Sequence, residues 1–125
     1  MLSNAEAVAT VPTKNIQRAA EFYEKKVGLK KLESPEKEVL MFQSGNSRLL
    51  VYNSQFAGTN QATAVTWEVD DVDATVRDLG SKGVTFEHYD FPGTKLEGDV
   101  HVMDGRRTAW FKDPDGNILA IANKE

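Results

Sequence analysis

The amino-acid sequence predicts an α+β chain of two βαβββ modules in tandem. Three observations carry the prediction: a strand-to-helix segment that occurs twice, a run of short strands after each copy, and turn signals between those strands. Val8 lies over Ala64 and Ile16 over Val72, both 56 positions apart, so the segments 7–16 and 63–72 align without a gap.

Each copy reads as a strand running into a capped helix. In the first, Asn15 is suited to the N-cap, and Ile16, Ala19, Ala20, Tyr23 and Val27 recur at helical spacing before Gly28 supplies the stop. In the second, Asp71 caps, Val72, Val76 and Leu79 make the stripe, and Gly83 stops it. A generic sandwich of sheet and helices explains the composition equally well, but matched caps and matched stops favour a duplication.

Short strands follow each helix: Gly28 to Glu33, Val39 to Gln43 and Arg48 to Tyr52, then Val84 to Tyr89, Val100 to Met103, Arg106 to Lys112 and Ile118 to Ala122. Asp104-Gly105 is a two-residue hairpin signal, Asp113-Pro114-Asp115-Gly116-Asn117 a strong turn, and Gly45-Asn46-Ser47 the corresponding turn of the first half. Phe56 to Ala62, rich in Gly, Thr, Asn and Gln, reads as a linker. One domain, 1–125, thus divides into module one at about 5–55, a linker at about 56–62 and module two at about 63–125.

Composition limits the function. The 125 residues are 40% hydrophobic and 27% charged, enough for one folded core. With 15 Lys and Arg against 19 Asp and Glu, the net charge is −4, which gives no attraction to phosphate backbones or anionic lipid. Nucleic acid and membrane are therefore not expected partners. Cysteine is absent, which removes disulfides, thiolate metal sites and a cysteine nucleophile. The first residues lack a basic segment followed by an apolar run, and a cytoplasmic protein is expected.

Three stretches resemble a known superfamily. Val11-Pro12-Thr13-Lys14-Asn15-Ile16-Gln17-Arg18-Ala19 with Phe22-Tyr23 and Val27-Gly28-Leu29 is similar to the first strand and helix of the glyoxalase, bleomycin-resistance and extradiol-dioxygenase (vicinal oxygen chelate) superfamily. Val69-Asp70-Asp71-Val72 and Ala109-Trp110-Phe111-Lys112-Asp113-Pro114-Asp115-Gly116-Asn117-Ile118-Leu119 fit the same pattern. The resemblance implies modules that curl a mixed sheet into a cup with the helices on its convex face, and a homodimer. That fold serves lyases, dioxygenases, transferases and drug-binding proteins alike, so it does not by itself give a function.

The resemblance also implies where metal-using members carry His, Gln or Glu. The matching positions here are Val8 and Ala64 on the first strands, Ala120 on the last strand of module two, and Val51, or Leu49 after a slip of two, in module one. None carries an oxygen, nitrogen or thiolate donor, so neither a metal nor any other cofactor is expected.

Strand alternation then predicts the lining of the cup. If Val8, Ala64 and Ala120 look inward, so do Thr10, Thr66, Ile118 and Ala122. Phe42 and Phe111 as core residues turn Met41, Thr108 and Trp110 toward the cup. Trp110 offers a flat face for a planar ring or a cation, although packing explains a tryptophan equally well. Arg106 and Arg107 can meet a carboxylate or phosphate at the mouth, although solubility is the simpler reading of them.

The titratable candidates are Asp99 and His101, two apart on a predicted strand, and Glu68 at a strand end. Acid–base work is one reading of them and a solvated strand edge the simpler one. The expected function is metal-free binding of an apolar or aromatic small molecule, with Trp110, Thr10, Thr66, Thr108, Met41 and Arg107 as contacts. The alternative is a lyase or isomerase of the same superfamily using His101, Asp99 or Glu68, and a third is a regulatory module whose cup its own side chains fill.

Overall fold

The computed structural model describes residues 1–34 and 36–124; Pro35 and Glu125, which the module ranges above include, lie outside the described residues. The first module runs β1 (Ala9–Thr13), α1 (Ile16–Glu21), β2 (Lys30–Leu32), β3 (Val39–Ser44) and β4 (Ser47–Asn53). The second runs β5 (Thr63–Val69), α2 (Val72–Ser81), β6 (Phe86–Glu87), β7 (Lys95–Glu97), β8 (Val100–Met103), β9 (Arg106–Lys112) and β10 (Ile118–Asn123).

The helices start as their sequences direct. The Asn15 side chain accepts the Arg18 N–H and the Asp71 side chain accepts the Ala74 N–H, each at 3.0 Å, satisfying donors that the first turn leaves open. In module one the helix continues through Phe22–Lys26 as a π-helical turn, closed by the Val27 N–H on the Phe22 carbonyl at 3.0 Å. Gly28, at φ 84°, then turns the chain into β2.

Each module forms one sheet, ordered β1-β4-β3-β2 and β5-β10-β9-β8-β7. The first and last strands of each module pair in parallel, β1 with β4 and β5 with β10, and the other pairs are antiparallel. β6 and β8 lie along the same edge of β9: Phe86 pairs with Phe111 and Glu87 with Trp110, then His101 pairs with Thr108. The expected strand from Val84 to Tyr89 is thus only two residues long. An edge strand that the sequence did not predict, β7, is added outside β8. Lys95, Leu96 and Glu97 are all exposed, so no alternating burial marks them as a strand.

The helix-side faces of both sheets share one core. Val11, Leu40, Phe42, Leu49 and Val51 from the first sheet join Ala109, Phe111, Leu119 and Ile121 from the second, with Ala19, Phe22 and Tyr23 between. Rings link the two: Tyr23 lies 6.0 Å from Phe42 and 5.2 Å from Phe22, and Phe22 lies 6.3 Å from Phe111. Phe111 is fully buried, and its truncation to alanine is a change of about 3–5 kcal/mol.

The Asp113 to Asn117 turn does more than reverse the chain. Asp113 accepts the Tyr23 hydroxyl at 2.7 Å and the Asn117 amide at 2.8 Å. Asn117 also donates to the Pro12 carbonyl at 2.8 Å, while Asp115 accepts from the Thr13 hydroxyl and from the Lys14 N–H. The turn of module two is therefore bonded to the β1–α1 corner of module one. The segment at 56–62 joins it: the Gly58 N–H donates to Asn117 Oδ1, and Ala57 is buried.

Register corrects one site position. Thr66 pairs with Ala120, and its repeat partner Thr10 pairs with Leu50. The counterpart of Ala120 is therefore Leu50, whereas Val51 and Leu49 point into the core beneath the helices. The hairpin at 95–103 separates the last strands by 70 positions (120 − 50) rather than the 56 that separate the first.

Candidate functional site

The face of sheet two turned away from the core is exposed at Thr66 and Glu68 and buried at Ala120, Ala122 and His101. On sheet two, Thr66, Ala120 and Trp110 form one row across β5, β10 and β9, and Glu68, Ala122, Thr108 and His101 form the next. On sheet one, Thr10, Leu50 and Met41 form a row across β1, β4 and β3. Sequence alternation placed Thr10, Thr66, Thr108, Met41 and Trp110 on these faces, and the register puts them there. They do not meet in one cleft: Thr10 and Met41 belong to the other sheet, and Trp110, but neither Thr66 nor Thr108, lines the cleft on sheet two. Met41 lines a separate shallow hollow with Leu32, Glu33, Ser34 and Arg48.

A cleft of about 250 Å3 adjoins Trp110, walled by Gln61, Thr63, Tyr89, Phe91 and Ile118. The Trp110 indole N–H donates to the Thr63 hydroxyl at 3.1 Å, which ties its polar edge to β5. His101 meets the indole edge to face, with centroids 4.9 Å apart and an angle of 81°. Tyr89 packs 5.4 Å away at 73° and Phe91 5.5 Å away at 59°. Trp110 is thus a half-buried ring fixed from several sides, with a cleft beside it. Tyr89 and Phe91 escaped the sequence reading because they sit on the irregular chain between β6 and β7, where no period marks a face. Two aromatics on a non-strand segment were the available signal.

His101 is 3% exposed, which overturns the expected solvated edge: β7 covers β8, and Tyr89 and Phe91 fold over the ring. Its Nε2 accepts the Tyr89 backbone N–H at 2.9 Å. Asp99 does not partner it. Asp99 lies just before β8 and pairs with His88 at 2.7 Å. Glu68 is exposed, at the far end of the row that holds His101, with Ala122 and Thr108 between them. The three acid–base candidates do not come together.

Arg107 is also displaced from its expected role. It shares parity with Ala109 and Phe111, so it lies on the helix side, where its guanidinium meets Asp73 of α2 at 2.9 Å and Glu97 of β7 at 3.3 Å. The hydrogen bond to Asp73 is the main cause that holds its pKa above the ordinary value, against the opposing effect of desolvation.

The residues do not fit a metal of the kind that the resemblance implies. Val8, Ala64, Leu50 and Ala120 carry no donor, and among the described residues no three His, Asp or Glu side chains are grouped to hold an ion.

A model of the Glyoxalase/Bleomycin resistance protein/Dioxygenase superfamily matches residues 7–121. Among solved structures the chain is similar to a bleomycin resistance determinant encoded on transposon Tn5, with TM-score 0.71 and 20% identity over 98% of this chain and 99% of that one. It is similar to TnmS3, an antibiotic binding protein from Streptomyces sp. CB03234, with TM-score 0.66 and 22% identity over 97% and 98%. It is also similar to a lactoylglutathione lyase from Agrobacterium tumefaciens, with TM-score 0.70 and 16% identity over 96% and 93%. At these identities the likeness is one of fold. No curated protein sequence matches the chain.

Proposed function

For a chain that belongs to the glyoxalase, bleomycin resistance protein and dioxygenase superfamily, we propose metal-free binding of an apolar or aromatic small molecule in the cleft beside Trp110. One observation carries the reading. A tryptophan held by Thr63 and His101 walls a cleft, while Thr66 and Ala120, which complete its row, offer no carboxylate, imidazole or thiolate to a metal. A fixed flat ring loses little freedom when another ring stacks on it.

The likeness to TnmS3, an antibiotic binding protein, agrees with this reading, and the likeness to a lactoylglutathione lyase supports the alternative. That alternative has less behind it here. Asp99 is engaged by His88, His101 spends Nε2 on a backbone N–H, and Glu68 stands apart from both.

A homodimer is part of the proposal. Thr10, Thr66 and Glu68 are exposed on the faces turned away from the helices, and a second copy laid across those faces would complete each half-cup. Among the described residues no helix is long and apolar enough to cross a membrane. The cysteine-free, acidic composition supports a cytoplasmic setting and argues against nucleic-acid partners.

Calorimetric titration with 1-acetonaphthone tests the reading. Saturable binding that weakens at least about tenfold in Trp110→Ala is expected. Undiminished binding in that variant contradicts it.

A further inference from the structure

Beside Trp110, among the described residues, two polar atoms are buried and without a hydrogen-bond partner: Nδ1 of His101 and Oη of Tyr89. Because His101 Nε2 accepts the Tyr89 N–H, the neutral ring carries its proton on Nδ1, and that N–H is a donor. The phenol hydroxyl is a donor too. Buried donors in folded proteins are nearly always paired. Among the described residues three buried side-chain polar atoms lack a partner; one is Arg107 Nε on the helix side, and the other two belong to rings packed against Trp110, with centroids 4.9 and 5.4 Å away.

Phe91 closes over this pair. Its ring lies 5.9 Å from Tyr89, 6.2 Å from His101 and 5.5 Å from Trp110. It is 42% exposed and sits on chain that belongs to no strand or helix, so no strand or helix pairing holds its backbone in place.

We propose that Tyr89 Oη and His101 Nδ1 form an acceptor-binding subsite, and that the ligand is a planar ring bearing a neutral carbonyl oxygen that takes both hydrogen bonds once Phe91 swings outward. The inference rests on the reading that the Trp110 cleft binds a ligand, and it adds the functional group that the ligand presents. Tyr89 lines the cleft and His101 packs behind it against Trp110, and unpaired donors on two neighbouring rings call for an acceptor. A carbonyl fits better than a carboxylate, since no charged residue lines the cleft to neutralise an anion. Ring stacking on Trp110 then gives affinity, and the two donors give selectivity.

The full chain is titrated with 1-acetonaphthone and with 1-ethylnaphthalene, which share a shape and differ in the oxygen. The ketone should bind about tenfold more tightly, and Tyr89→Phe should reduce that preference to about threefold or less while leaving 1-ethylnaphthalene within about twofold. His101→Phe should act in the same direction. The C=O stretch of the bound ketone in the unaltered protein supplies a readout independent of any variant, and it should fall below its position in an apolar solvent. Equal affinity for the two probes, or an unshifted stretch, overturns the acceptor subsite while leaving the cleft itself standing. Failure of both probes to bind overturns the subsite and the cleft reading together.

Discussion

The Tyr23 hydroxyl donates to Oδ2 of Asp113 across 2.7 Å, joining the helix of the first module to the last turn of the second. The bond lies in the core, at a residue with no solvent exposure, and it binds the two halves where their rings already meet. Burial first, and Asp113 second, hold the phenol far above the ordinary tyrosine pKa of 10.0.

That relationship predicts an alkaline weakness. A pKa raised in the folded state means that the stability due to Tyr23 is fully present below about pH 10 and is lost as pH rises past the unfolded value, because the unfolded chain releases the proton first. Tyr23→Phe should cost about 1.5–3 kcal/mol at neutral pH, for the lost bond to a carboxylate. Above about pH 10 the gap between the two proteins should close by about 1.4 kcal/mol per pH unit. Urea unfolding of both proteins between pH 8 and about pH 11 checks it; parallel curves throughout contradict the assignment.

Gly58 supplies the second prediction. A Cβ there would lie 1.9 Å from the Asp115 carbonyl oxygen, at a backbone φ of +78°. Gly58→Ala should destabilise by about 2–4 kcal/mol, since both strain and collision apply. Gly98→Ala, at φ +61° with nothing within 4 Å, should cost only the left-handed penalty of about 1–2 kcal/mol. Equal losses, measured by denaturant midpoints, would show that the approach of the segment at 56–62 to the Asp115 turn is not tight.

Arg107 separates structure from binding. Its guanidinium bridges Asp73 and Glu97 on the helix side, and the pair is partly exposed. Arg107→Gln should therefore cost only about 0.5–1 kcal/mol of stability and leave 1-acetonaphthone affinity within about twofold. A tenfold loss of affinity in calorimetry would return Arg107 to the ligand.

Much of the frame was legible in the sequence because it is written in local chemistry. Asn15 and Asp71 cap as their side chains direct, and Asp104 and Gly105 take positive φ values of 49° and 81°, as a tight hairpin requires. The cup-facing parity of Thr66, Thr108 and Trp110 followed from alternation alone. What could not be read depended on partners distant in the chain. Val51 was misplaced because the face that a strand residue takes is set by its register with neighbours, and the β7–β8 hairpin changes the repeat spacing; Arg107 was misplaced although the alternation that turns Thr108 and Trp110 to the cup already turns it to the helix side. His101 looked like an exposed edge because its cover comes from β7, Tyr89 and Phe91, whose own sequences carry no periodic signal. The Asp113 to Asn117 turn was recognised as a turn, but its bonds to Tyr23, Pro12 and Thr13 span about ninety residues or more and leave no mark in local pattern.

The claim that the Trp110 cleft binds its ligand without a metal is tested most directly by calorimetric titration of 1-acetonaphthone before and after exhaustive treatment with EDTA. Donor-free side chains at Val8, Leu50, Ala64 and Ala120 predict the same affinity within about twofold in both titrations. Binding that disappears with EDTA and returns on addition of one equivalent of zinc or manganese would contradict the account.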